Sequence, residues 1–357
     1  MVKSHPRCTI CDDSRRRIAR SLGACAVCIV EGRPGVDEAI TAAHADARRP
    51  FDLPERPPRQ ANGVRCPLCA NECSIGEGTR GFCGLRTVRA GKLVHLAGTP
   101  RRGLLQWYRD PLPTNCVADW VCGGHRQHGN HNLAVFYCSC TADCLFCQNW
   151  HFRRVSIPES DAVSAGELVD AANERTYCVC FFGGDPASQM PHALATSKLL
   201  AERGVRVCWE TAGTMHPKLL DAALRYSLDT GGCVKFDLKA FDERLHKALT
   251  GISNRRTLEN FSRAGGRYHE RPDPPLVVAS TLLVPGYVEA EQVSKVAGFI
   301  ASVHPEIPYS LLAFAPNFHM SDLPYTSRRQ AEEAEGAARS AGLLNVRVGN
   351  RHLLAMN

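Results

Sequence analysis

From residue 132 onward, short apolar or β-branched runs alternate with stretches of helical spacing. The runs NLAVFYC (132–138), YCVCFFGG (177–184), VRVCWETAG (205–213), CVKFDLKA (233–240), LVVASTLLV (276–284) and YSLLAFAP (309–316) read as strands. Most gaps between them read as helices, as in AGELVDAANE, PHALATSKLLAER, HPKLLDAALRYS and AEQVSKVAGFIASV. Repeated β-α units predict a parallel sheet with right-handed crossovers. Six such units fill roughly 190 residues, short of the roughly 250 that a closed eight-fold barrel takes. The expected fold is therefore α/β: an incomplete, TIM-like (β/α)6 barrel over 126–325, followed by a helix and a strand over 326–357.

The first 125 residues break that rhythm. Residues 1–33 hold two CxxC pairs, and the polar, Pro-rich PFDLPERPPR (50–59) marks 34–59 as a Pro/Arg-rich linker. Residues 60–125 set a second cysteine cluster among Gly-rich turns. No apolar run approaches a membrane span and the first residues lack a signal core, so a cytoplasmic protein without a membrane partner is expected. Eighteen cysteines in a reducing compartment point to metal rather than disulfides. The net charge of +7 is uneven. Residues 1–130 carry 20 Lys+Arg against 12 Asp+Glu, and the remainder 23 against 24. Metal sites balanced by arginine explain this excess as well as a polyanion-binding face does.

Cys8-x2-Cys11 followed by Cys25-x2-Cys28 spells two knuckles able to place four thiolates around one ion, with RRRIARSLG between them as a short basic helix. Structural zinc is the preferred reading, because so short a module has little core of its own. An auxiliary iron–sulfur cluster, or no metal, are its rivals. Cys66-x2-Cys69-x3-Cys73 with Cys83 is less regular and fits zinc or an auxiliary cluster. Cys116 and Cys122 read as loop or core thiols, and Cys178, Cys180, Cys208 and Cys233 as core thiols in strands. His319 reads as a surface histidine near the cavity mouth.

The first strand runs into YCSCTADCLFCQNW, a loop at the carboxyl end of a strand, where α/β folds build their sites. Cys140, Cys144 and Cys147 give C-x3-C-x2-C, a spacing that wraps three corners of an iron–sulfur cube. Three ligands leave one iron open, the mark of a metal that acts on a ligand rather than holding a fold. Cys138 is then spare, a small buried thiol on the first strand.

CTADCLFCQN resembles the signature of the radical S-adenosylmethionine (SAM) enzymes, including Phe146 before the last cysteine. LFCQNW, GGDPASQ, WETAGT, FDLKAFD, LTGISN, LLVPGY and HMSDLP are similar, in order and spacing, to the pyruvate formate-lyase activating-enzyme-like, AmmeMemoRadiSam-type branch. CPLCANECSIGEGTRGFCGLR also occurs in many of its relatives, so the resemblance covers about residues 60–325. It implies a [4Fe-4S] cluster on Cys140, Cys144 and Cys147, with SAM chelating the open iron. Gly183, Gly184 and Asp185 would receive the SAM amino group; here Asp185 replaces the family's Glu and is one methylene shorter. Glu210, Thr211 and Asp237 would lie around the SAM carboxylate, with a monovalent cation as a further option, and Lys239 would neutralise it. The implied reaction is reductive SAM cleavage to a 5′-deoxyadenosyl radical that abstracts hydrogen from a protein or peptide. It needs an external electron donor of flavodoxin or ferredoxin type. RNA or a small molecule is the next choice of substrate. The competing classes are a zinc-ribbon nucleic-acid-binding protein with an inactive barrel, and an iron–sulfur electron carrier.

Overall fold

A computed structural model of the chain describes residues 6–114, 116–154, 157 and 161–356. Its centre is a single eight-stranded sheet: β1 (Leu105–Pro111), β2 (His131–Tyr137), β3 (Thr176–Phe182), β4 (Arg206–Thr211), β5 (Val234–Asp237), β6 (Val277–Leu283), β7 (Tyr309–Ala313) and β8 (Val346–Gly349). Spatial order follows chain order throughout. Neighbours from β2 to β8 pair in parallel, while β1 runs antiparallel to β2. All six strands read from the sequence are present. The strand expected over 326–357 is β8, at one edge of this sheet; the other edge adds the polar β1, whose run of exposed residues from Gln106 to Arg109 lacks an apolar pattern.

Strand alternation sorts side chains into two environments. Leu133, Val135, Val179, Phe181, Val207, Trp209, Val234 and Phe236 are fully buried in the main core. Phe181 meets Trp209 with ring centroids 4.7 Å apart, and Phe236 meets Phe261 at 5.4 Å. The alternate residues face the barrel lumen.

Nine helices are described: α1 (Ala26–Glu31), α2 (Val36–Arg48), α3 (Ala165–Asp170), α4 (Met190–Glu202), α5 (Pro217–Thr230), α6 (Glu243–Thr250), α7 (Arg255–Gly265), α8 (Ala290–Val303) and α9 (Arg328–Ser340). Their starts are chemically marked. Ser164 and Glu167 form a capping box on α3, Pro217 opens α5, and Asp242 accepts from the Leu245 N–H at the start of α6. Among the described residues, no helix is long and apolar enough to cross a membrane.

Two expectations for the front are corrected. RRRIARSLG is not helical; Ile18, Ala19 and Leu22 are buried in irregular turns, and the module's helix α1 begins only after Cys25. The barrel imposes that shape. The Tyr287 hydroxyl accepts from the Ala19 N–H (2.9 Å) and donates to the Ala24 carbonyl (3.1 Å), fixing the connecting loop against the strand that ends in LLVPGY. A Cβ on Gly286 would lie 2.4 Å from the Arg17 carbonyl oxygen, so this glycine admits the module's backbone. Residues 34–59 are likewise no simple linker. They hold α2, whose His44 and Arg48 are buried, because the barrel offers those two side chains a buried carboxylate.

Candidate functional site

Strand β2 ends at Tyr137, and the chain turns through Ser139 at φ +109°, a conformation L residues rarely adopt. Three ties hold that turn. The Ser139 hydroxyl donates to the Cys83 carbonyl (2.7 Å), while its own carbonyl accepts from the Asp185 N–H (3.1 Å) and the Ser188 hydroxyl (3.4 Å). The cysteine loop then leans on the end of α6. The Asp143 N–H donates to the Thr250 carbonyl (2.8 Å) and the Leu145 N–H to that of Leu249 (3.0 Å). LTGISN, a word without evident chemistry, is thus the cradle of the loop. Asn254 fixes the cradle by donating to the Ala240 and Phe241 carbonyls at 3.1 and 2.8 Å.

Inside the loop, the Asp143 carboxylate is fully buried and has three basic neighbours: His44 Nδ1 at 2.8 Å, Arg153 at 3.2 Å and Arg48 at 3.4 Å. Burial alone would raise its pKa. The His44 hydrogen bond and the two guanidiniums outweigh that and hold it below the usual carboxylate range. His44 Nε2 faces the Lys247 and Ala248 carbonyls at 3.1 and 3.2 Å, so both ring nitrogens are engaged. Arg48 also donates to the Phe82 carbonyl (2.5 Å), reaching the second cysteine module. These partners escaped sequence reasoning. Only Asp143, a carboxylate in an apolar loop, carried a signal, and nothing in the spacing pointed to residues a hundred positions upstream.

Cys140, Cys144 and Cys147 border one cavity of about 230 Å³ that Gly183, Gly184, Asp185, Glu210, Thr211, Asp237 and Lys239 also line. All ten residues singled out for this site therefore converge. Burial pushes Cys144 up to about 12 and Cys140 well above the ordinary thiol range. Held neutral this way, both need a cation to become thiolates. Lys239, itself buried and ion-paired with Asp237, opposes the rise at Cys144. Gly183 and Gly184 both have positive φ, and added Cβ atoms would lie 2.2 Å from the Phe136 ring and 2.1 Å from the Tyr137 carbonyl oxygen.

Asp185 does not project freely. Its carboxylate accepts from Thr211 (2.7 Å), Thr141 (2.8 Å), Thr214 (3.3 Å) and the Ala187 N–H (3.1 Å). It knots the cysteine loop to the end of β4. Burial nevertheless raises its pKa.

Cys138 lies just past the strand and packs, with Cys83, on the small cluster of Leu85, Ala97 and Leu104. Burial lifts its thiol to about 11, which suits a neutral hydrophobe. His319 is half-buried, and its N–H donates to the Leu145 carbonyl (3.0 Å). Neighbouring Phe318 stacks on Trp150 with centroids 5.5 Å apart.

The front quartet differs in kind. The sulfurs of Cys8, Cys11, Cys25 and Cys28 all lie within 4.8 Å of one another, with Cys8–Cys28 at 3.9 Å and Cys11–Cys25 at 4.0 Å. Burial would raise Cys8, yet main-chain N–H groups of Cys25, Cys11 and Ile10 bring it to about 7. Among the described residues, no other group of three or more potential ligands is packed this tightly. Cys83 lies close enough to raise Cys66, Cys69 and Cys73, but burial is the larger cause at all three.

Residues 135–296 match the Radical SAM superfamily. The chain is 26% identical over 310 residues to the uncharacterised protein MJ0808 of Methanocaldococcus jannaschii, covering 81% of this chain and 82% of that one. It is 29% identical over 217 residues to the putative glycyl-radical enzyme activating enzyme MJ1632 of the same organism, covering 59% and 79%. It is 31% identical over 134 residues to the isethionate sulfite-lyase activating enzyme of Oleidesulfovibrio alaskensis, covering 37% of this chain and only 40% of that relative. Within its barrel, over residues 135–296, this chain is similar to the radical SAM superfamily, and with its likeness to activating enzymes this supports an enzyme of the radical SAM type.

Proposed function

We propose that Cys140, Cys144 and Cys147 hold the [4Fe-4S] cluster that the superfamily implies, and that SAM occupies the cavity beside them. The observation that carries this reading is the single cavity bordered by the three thiols, the Gly183-Gly184-Asp185 turn and the carboxylates at the ends of β4 and β5. When bound, the two groups supply one-electron cleavage of the sulfonium and hence a 5′-deoxyadenosyl radical that removes hydrogen from a substrate.

The chain's own residues bind and orient. The Asp143 knot keeps the loop in one shape. Because the Asp185 carboxylate already accepts four hydrogen bonds and the Gly183 carbonyl accepts from the Tyr137 N–H, the Gly184 carbonyl would be the acceptor left on this turn for the SAM ammonium. Lys239 faces the SAM carboxylate alongside Thr211 and Glu210. Asp237 has Lys239 as its counterion, so a monovalent cation is an addition this reading does not need. In the front quartet we propose structural zinc: a tetrahedral ion with Zn–S near 2.3 Å sets its sulfurs about 3.8 Å apart, which matches the observed 3.9 and 4.0 Å. Cys66, Cys69, Cys73 and Cys83 remain a second, looser metal site for zinc or a cluster.

For the substrate we propose a protein or peptide, with an electron donor of flavodoxin or ferredoxin type. Relatives named as activating enzymes and the positive front half support this. The test is anaerobic reconstitution with iron and sulfide, reduction by dithionite, and quantification of 5′-deoxyadenosine formed from SAM. The wild-type chain and Cys138→Ser should both form it. No product from a fully iron-loaded wild-type chain would overturn the reading, and salt-sensitive nucleic-acid binding in its place would favour the zinc-ribbon alternative.

A further inference from the structure

Below the cavity just described lies a second one, of about 340 Å³, inside the barrel lumen. Six cysteines line it, and they arrive from two directions. Cys178 and Cys180 on β3, Cys208 on β4 and Cys233 just before β5 share the lumen-facing parity of their strands, opposite to Val179, Phe181, Val207 and Trp209. Cys178, Cys180 and Cys233 are buried, as their strand positions suggested, and Cys208 is half-buried, but all four also line this cavity. Cys116 and Cys122 enter on the segment that follows β1. Ala118 of that segment is fully buried against Cys233 and Val278, Trp120 donates to the Ser310 hydroxyl (3.1 Å), and Asp119 pairs with Arg347 (3.3 Å). The segment plugs the lumen and carries two thiols in with it.

At the centre stands Lys235. Its side chain is 2% exposed, its Nζ lies 3.0 Å from both Cys116 Sγ and Cys180 Sγ, and its carboxylate partner is Glu210 at 3.3 Å. Burying an ammonium is costly without anionic company. Glu210 supplies that company, and the Lys235 ammonium holds the Cys116 and Cys180 sulfurs at hydrogen-bond distance from a fixed positive charge. Cys208 and Cys233 complete the lining with sulfurs 4.0 Å apart.

We propose that Cys116, Cys122, Cys178, Cys180, Cys208 and Cys233 form the binding site of an iron–sulfur cluster separate from the one assigned to Cys140, Cys144 and Cys147. Two features of the six thiols select a cluster over a single ion. They do not close into the tight packing that the front quartet shows in the same chain. They also surround open volume, as a polynuclear group requires. Lys235 offsets the thiolate charge and donates to two of the sulfurs, both of which tune a cluster's potential. Glu210 and Phe182 line this cavity and the upper one alike, so the lumen cluster faces whatever ligand the upper cavity holds.

The experiment separates this site from the other cysteine sites. A full-length chain with Cys140→Ala, Cys144→Ala and Cys147→Ala, reconstituted anaerobically with iron and sulfide, should retain iron, acid-labile sulfide and visible absorbance. Adding Cys208→Ala and Cys233→Ala should lower the retained iron by about two to four atoms per chain, one cluster's complement. An unchanged iron content, zinc in place of iron, or a Cys208–Cys233 disulfide in anaerobically isolated chain would each overturn the proposal. Lys235→Met keeps all six thiols. It should shift the retained cluster's midpoint potential downward, because a lost positive charge disfavours reduction; an unshifted potential would put that cluster elsewhere and overturn the assignment.

Discussion

The front quartet and the barrel loop use the same side chain and arrive at opposite designs. Cys8, Cys11, Cys25 and Cys28 converge on one another, sulfur to sulfur, in a module whose Ile18, Ala19, Leu22 and Ile29 join the main core. Cys140, Cys144 and Cys147 instead border a cavity, and the tight packing beneath them belongs to Asp143 and its three basic partners. A self-converging set leaves no room for a ligand, while a set arrayed on a rim needs outside support to keep its shape. The support here is charged, buried and remote in sequence.

Four experiments bear on that contrast. The sharpest is a pair of single substitutions. Cys144→Ser should abolish 5′-deoxyadenosine formation and bleach the loop's share of the visible iron absorbance, with the zinc content unchanged. Cys28→Ser should do the reverse, releasing zinc and lowering the thermal midpoint while that absorbance survives. Metal analysis and spectra of both chains decide it, and equal iron loss from the two would erase the distinction.

Asp143→Asn comes next. It leaves His44, Arg48 and Arg153 buried around a neutral amide, and breaking a buried ion pair in this way costs about 3–5 kcal/mol. Urea unfolding should show that loss, and the variant should also retain less iron in the loop.

Acid should then weaken the barrel. Burial holds His192 and His246 down to about 4, against 6.5 when free. His192 accepts from Tyr137 at Nδ1 and donates to the Val163 carbonyl from Nε2, at 2.9 and 3.0 Å. His246 Nδ1 sits near the Ile252 carbonyl and Thr250 hydroxyl. The unfolded chain takes up protons below 6.5 that the folded chain refuses, so this stability is complete above 6.5 and is lost as pH falls towards 4. The ceiling is on the order of 3 kcal/mol per ring. Unfolding curves at pH 7, 6 and 5 should shift accordingly, and His246→Gln should flatten the slope.

The smallest effect is the most diagnostic. Asp185→Glu introduces the residue that the family resemblance implies at this position, yet the extra methylene enters a site with four hydrogen bonds already formed, and overpacking of that kind costs about 1–3 kcal/mol. A gain in stability or in SAM affinity would show that the carboxylate is not a structural knot.

The barrel was legible in the sequence because each apolar strand announces itself and each gap has helical spacing. β1 was not: Gln106, Trp107, Tyr108 and Arg109 are all exposed, so the strand is defined by pairing with β2 rather than by burial. The ten residues of the candidate site were legible through motif spacing, since all lie at or just beyond strand ends. Their supports were not, because a hydrogen bond from His44 to Asp143 spans 99 positions and no local pattern encodes it. The lumen thiols fall between these cases. Their alternation with Val179, Phe181, Val207 and Trp209 was visible, but strand periodicity does not tell which face looks into a cavity.

The seating of α2 on Asp143 has a practical reach. Trimming the chain back to its barrel would strip two of the three basic partners from a carboxylate sealed inside the cysteine loop and open the Gly251 corner where His44 rests. Such a fragment would carry every signature cysteine and still present them on a slackened rim, so failure of a truncated protein to take up iron would indict the truncation before it indicted the chemistry.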